Sequence, residues 1–110
     1  MYSPGDVVIV DFAGASRAKT RPSVVVSTAS YNTARPDVVV GILTTKLTKA
    51  NGPTDCLIRD WAFAGLRTAS AFRSYFMTLR QIDVHRRVGS LSASDWAEVQ
   101  VRLRLALAVT

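Results

Sequence analysis

Two short stretches hold the residues best suited to chemistry. In the first, a basic segment carrying Arg17, Lys19 and Arg21 runs into Pro22 and an apolar stretch; the second is the trio Thr44-Thr45-Lys46, near the end of the longest apolar stretch. The chain has one His (His85), one Cys (Cys56) and one Glu (Glu98), and no Gly-rich phosphate loop. Histidine-based acid–base kits, a Cys/His zinc site within one chain and a P-loop are therefore not encoded, and no metal or cofactor is expected. A reaction run by the remaining residues must ask little of the protein. RNA cleavage qualifies, because the 2′-hydroxyl of the substrate attacks the adjacent phosphate and the protein need only align the groups and stabilise the crowded phosphorane charge. A fixed guanidinium with a neighbouring hydroxyl does both. Each position also has a plainer reading: Arg21 as a surface side chain lying over a barrel rim, and the threonines as ordinary strand formers.

The charge balance bears on the partner. Fourteen Lys/Arg against eight Asp/Glu leave a formal charge of +6 and a pI near 10.3, and eleven of the fourteen cations are Arg. Arginine's planar fork fits phosphate oxygens and stacks on bases, which suits a nucleic acid better than a lysine-rich solubility surface would; a merely basic surface is the alternative. No apolar run approaches the ~20 residues needed to span a bilayer, and the opening Met1-Tyr2-Ser3-Pro4-Gly5-Asp6 lacks the pattern of a secretory signal. A cytoplasmic protein with no membrane partner is expected. A length of 110 residues fits one domain, 1–110, with one core.

The elements that must position these residues read mainly as strands. Residues 6–12 (DVVIVDF) form a first buried strand, GASRAKTRP a loop, 23–28 (SVVVST) a second strand, and 37–47 (DVVVGILTTKL) the longest, with Gly41 marking a bulge or a close approach. DCLIRD at 55–60 and a stretch from about Ser70 to Leu79 continue the pattern. With no long helix between strands, a small antiparallel barrel is expected rather than a parallel sheet. The period changes at the end of the chain, where Trp96, Val99, Leu103, Ala106 and Leu107 make a helical stripe flanked by Arg102 and Arg104. Ser92 is placed to cap that helix with Asp95 three residues on, and Leu91 and Trp96 to staple it.

At these same residues the chain resembles the MazF/PemK toxin family. The similar segments occur in order: GDVVIVDF, TRPSVVVSTASYN, VVVGILTTK and VGSLSASDWAEV. The resemblance implies a mainly β fold, the small SH3-like antiparallel barrel of CcdB/MazF/PemK-like proteins with a C-terminal helix. It also implies a homodimer, and metal-independent cleavage of single-stranded RNA to a 2′,3′-cyclic phosphate and a 5′-hydroxyl. The family's catalytic Arg falls on Arg21 and its catalytic Thr on Thr44. Ser16, Arg17, Lys19, Thr45, Lys46 and Arg73 are expected to bind substrate, Arg73 having ion pairing to Asp60 as its alternative. Tyr75 and Phe76 are open between base stacking and core packing. A cognate antitoxin with an acidic disordered segment is the expected protein partner. Because the same fold also hosts gyrase poisons, a nucleic-acid-binding or gyrase-poisoning barrel without catalysis is the competing reading.

Overall fold

The computed structural model describes residues 1–13 and 18–109. Its elements are β1 (Asp6–Ala13), β2 (Ala18–Val25), α1 (Ala29–Ala34), β3 (Asp37–Thr44), β4 (Cys56–Ile58), β5 (Ser70–Arg80), β6 (Arg86–Ser90) and α2 (Ala93–Ala106). The six strands form one curled sheet in the order β4-β5-β3-β2-β1-β6, with every pairing antiparallel. The expected mainly β architecture with a C-terminal helix is what forms.

The unbroken valine runs of β1 to β3 follow from burial on both faces of this sheet, where period-2 alternation is not needed. One face gathers Val7, Val24, Leu43 and Phe72 beneath Val99 of α2, with Trp96 and Leu103 packed alongside. The other curls upon itself around Val8, Val10, Phe12, Val25, Val38 and Val40. Gly41 sits where β3 and β5 lose register, and a Cβ there would come within 2.5 Å of the Phe72 ring. Of the bulge or close backbone approach expected at this position, the bulge is what forms, and the near neighbour is the Phe72 side chain rather than another backbone.

Several expected boundaries need correction. The second strand does not span 23–28 but Ala18–Val25, so Arg21 and Pro22 lie inside it rather than in a loop before it. Pairing with β1 from Val7↔Val24 to Ala13↔Ala18 recruits this polar stretch, which apolarity alone does not mark. The third strand ends at Thr44 instead of 47, because Leu47–Lys49 turn into a 3-10 helix. The stretch 55–60 contributes only Cys56–Ile58, while β5 runs one residue past the expected end to Arg80. Helix α1 and strand β6 fall outside the elements expected from the sequence. Ser92 does cap α2, accepting from the Asp95 amide at 3.2 Å. The apolar stripe is buried only in its first half: Val99 is fully covered, whereas Leu107 is 45% exposed.

Side-chain hydrogen bonds tie these elements together. Asn32 is buried; its Nδ2 donates to the carbonyls of Tyr2 (3.0 Å) and Ser27 (3.3 Å), its Oδ1 accepts from Ser27 Oγ, and Ser27 Oγ accepts from the Val39 amide at 3.0 Å. The Ser and Asn of STASYN therefore fasten α1 to β3 and to the N-terminal segment. Buried Asp95 accepts from the amides of Arg59 (3.0 Å) and Asp60 (2.8 Å), fixing the segment after β4 on α2. That segment then crosses to β6 on a pair of glycines. A Cβ at Gly89 would stand 2.3 Å from the Ala64 carbonyl oxygen, and one at Gly65, whose φ is +89°, 2.4 Å from that of Val88. Among the described residues, no helix is long and apolar enough to cross a membrane.

Candidate active site

Strands β2 and β3 bring the two sequence stretches together. Their ladder pairs Val25↔Val40, Val24↔Gly41 and Ser23↔Ile42 and stops there; Arg21 lies two residues beyond Ser23 on β2 and Thr44 two beyond Ile42 on β3, so by alternation both fall on one face of the sheet. On its other side Arg21 pairs with Val10, and Thr44 pairs with Ala71 of β5. Arg21 is half-buried, and among the described residues it makes no ion pair. Thr44 is 6% exposed, and its Oγ1 accepts from the Lys46 amide at 3.1 Å. That bond occupies a lone pair and holds the rotamer, leaving the hydroxyl proton to donate.

The surrounding side chains suit a single-stranded polyanion. Lys19 shares the face of Arg21 by alternation and is exposed, opposite Phe12. The Tyr75 ring meets the Phe12 ring edge-on at 5.4 Å and is itself 47% exposed, an aromatic surface beside the cations. Phe76 instead packs against the core under α2. Arg73 lies half-buried on β5 between Ala71 and Tyr75, and it forms no ion pair with Asp60, whose carboxylate accepts from Ser94 Oγ. Lys46 is exposed just past Thr44. Ser16 and Arg17 lie outside the described residues.

Thr45 turns the other way. With Thr20 and Pro22 it lines a cleft of about 640 Å³ on the opposite side of the sheet, together with Thr68, Ser70, Arg67, Arg86 and Arg87. None of these three arginines stands out in the sequence, since Arg67 lies in a loop and the Arg86-Arg87 pair opens a strand, RRVGS, with no apolar alternation. Behind Thr20, the Asp11 carboxylate accepts from Thr20 Oγ1 (2.9 Å) and contacts His85 Nε2 (3.0 Å). The His85 hydrogen bond, helped by that from Thr20, holds the Asp11 carboxyl below its ordinary pKa. Cys56 is the opposite case: burial above all, then the charge of Glu98, raises its thiol to about 11 against the pull of Arg102, so it is no nucleophile at neutral pH.

The sequence profile of PemK-like, MazF-like toxins of type II toxin–antitoxin systems matches residues 3–107. No curated protein sequence matches the chain. Solved structures do. A mycobacterial endoribonuclease in complex with its cognate antitoxin superposes with a TM-score of 0.79 at 20% identity, covering 100% of this chain and 98% of that one. The Mycobacterium tuberculosis toxin MazF-mt6 gives 0.77 at 20% identity over 96% and 98%. MazF of a Deinococcus radiodurans MazE–MazF complex gives 0.72 at 20% identity over 99% and 97%. At these identities the superpositions speak for the fold.

Proposed function

The chain belongs to the family of PemK-like, MazF-like toxins of type II toxin–antitoxin systems, and on that premise we propose that it is an endoribonuclease cutting single-stranded RNA in the cytoplasm. One domain, residues 1–110, carries the activity and acts as a homodimer. The observation that most supports this reading is that Arg21 and Thr44 each follow the last β2–β3 pair, Ser23↔Ile42, by two residues and on the same face of the sheet. A scissile phosphate between them meets a cation and a hydroxyl donor at once. The substrate 2′-hydroxyl attacks phosphorus; the Arg21 guanidinium neutralises the charge growing on the non-bridging oxygens, and the Thr44 hydroxyl donates to one of them. The P–O5′ bond breaks as the O2′–P bond forms; the proton of the 2′-hydroxyl passes to water and the leaving O5′ takes one from water or through the Arg21 guanidinium, giving a 2′,3′-cyclic phosphate and a 5′-hydroxyl. Lys19, Lys46 and Arg73 hold flanking phosphates, and Tyr75 stacks a base.

The structural relatives bound to antitoxins support a protein inhibitor here as well, one with an acidic segment that orders on the basic face. Incubation of the purified protein with single-stranded RNA in EDTA tests the enzymatic reading. Cyclic-phosphate ends are expected, and Arg21→Ala should abolish them while leaving the fold and antitoxin binding intact. Intact RNA with the wild-type protein would favour a binding barrel that does not cut.

A further inference from the structure

The Arg67–Arg86–Arg87 cleft lies across the pleat from Arg21 and Thr44, and the reading above leaves it without a task. Its arginines come from two elements, Arg67 from the loop before β5 and Arg86 and Arg87 from β6. Arg87 is already committed: its Nε lies 3.2 Å from the buried Asp6 carboxylate, and its Nη2 donates to Ser90 Oγ at 2.8 Å. Arg67 and Arg86 are exposed and make no ion pair among the described residues. Among the described residues no carboxylate lines the cleft; Asp11, the acid behind Thr20, is held by Thr20 and His85. Two uncompensated cations thus converge beside the hydroxyls of Thr45, Thr68 and Ser70, over an apolar floor of Ile9, Leu66 and Val88. The walls are set beforehand, because the Gly65–Gly89 backbone contact seats the Arg67 loop against β6.

Resting on the RNA reading, we propose that this cleft is a second phosphate-binding subsite, which holds the RNA backbone next to the cut. Continuity chooses RNA over an acidic peptide. Thr20 and Pro22 flank Arg21 in β2, and Thr45 follows Thr44 at the end of β3, so the same stretch of β2 and the same end of β3 supply both the reacting face and the cleft. A nucleotide chain leaving the Arg21/Thr44 face passes over their rim into the cationic slot. The Arg67 and Arg86 forks then each take a phosphate, and the ribose rests on the apolar floor.

The test measures binding in an Arg21→Ala background, where RNA stays whole. Affinity for an end-labelled, mixed-sequence single-stranded RNA is followed against salt for this parent and for the parent carrying R67A and R86A. Two lost phosphate contacts should flatten the log–log salt slope by about 1.4, at about 0.7 per contact on a single strand. Between roughly 50 and 200 mM salt the parent should therefore lose about sevenfold more affinity than the variant. Arg67→Lys with Arg86→Lys should keep the steeper slope, and R67A alone should give about half the change. Equal slopes for parent and double variant overturn the proposal. So does a double variant that loses affinity only for the antitoxin's acidic segment, which would make the cleft an antitoxin contact. A parent with no RNA affinity defeats the nuclease reading and the cleft together, whereas a parent that binds with an unchanged slope defeats the cleft alone.

Discussion

Replacing Thr44 by Val separates catalysis from stability more sharply than any other change. Valine matches threonine in shape, so the 94%-covered site is not opened. The substitution removes one hydrogen bond, from the Lys46 amide at 3.1 Å. Lys46 is exposed, so water can satisfy its amide, and the stability cost should be about 0.5–1.5 kcal/mol. That corresponds to roughly 4–8 °C in Tm per kcal/mol for a chain of this size. The rate should fall much further, by about 10²–10³ or roughly 3–4 kcal/mol of barrier, if the hydroxyl donates to a non-bridging oxygen in the transition state. Single-turnover cleavage of a defined single-stranded RNA at saturating protein reads the second effect, and urea unfolding the first. Thr44→Ser keeps the hydroxyl and should recover most of the rate. A folded Thr44→Val protein cutting within a few-fold of wild type would refute the assigned role, as would a serine variant as slow as the valine one.

Three further changes probe the frame around that site. Asn32→Leu strips partners from the Tyr2 and Ser27 carbonyls and from Ser27 Oγ inside the fold, so urea unfolding should show a loss of about 2–4 kcal/mol; a loss below about 1 kcal/mol would mean the network adds little. Cys56 should resist iodoacetamide at neutral pH in the native protein and react on unfolding. Its thiol pKa is about 11 folded against an ordinary 9.0, so the native state holds the proton more tightly; the resulting stability is present below pH 9 and is lost as pH rises toward 11. Cys56→Ala should flatten the stability profile across that window, and an unchanged alkaline slope would contradict the assignment. Gly89→Ala drives a methyl group to 2.3 Å from the Ala64 carbonyl, so the Arg67 loop must move; proteolysis confined to residues 59–69 should accelerate, and unaltered kinetics would argue against the contact.

What the sequence discloses depends on how locally each feature is determined. The valine runs mark β1 and β3 because burial on both faces leaves composition as the signal, and Ser92 marks the start of α2 because a cap is satisfied within three residues. The start of strand β2 is not legible because Lys19 to Arg21 are polar, and only the β1 ladder makes them extended. Strand β6 escapes for the same reason: RRVGS has no alternation, and pairing with β1 alone shapes it. That Arg21 and Thr44 fall on one face depends on a β2–β3 register that neither segment contains by itself. The cleft is less legible still, for Arg67 and Arg86 are separated by all of β5 and meet only through the Gly65–Gly89 contact.

That contact also changes the topology of the sheet in a mechanical sense. Strands β4 and β6 are its two margins, four strands apart, yet the chain leaving β4 is pinned to α2 by Asp95 and laid against β6 at Val88. The strap closes a ring that backbone pairing leaves open. Fraying at either margin must therefore strain the other, and the amides of Cys56–Ile58 and of Arg86–Ser90 should exchange with solvent as one cooperative unit despite lying at opposite limits of the hydrogen-bonded ladder.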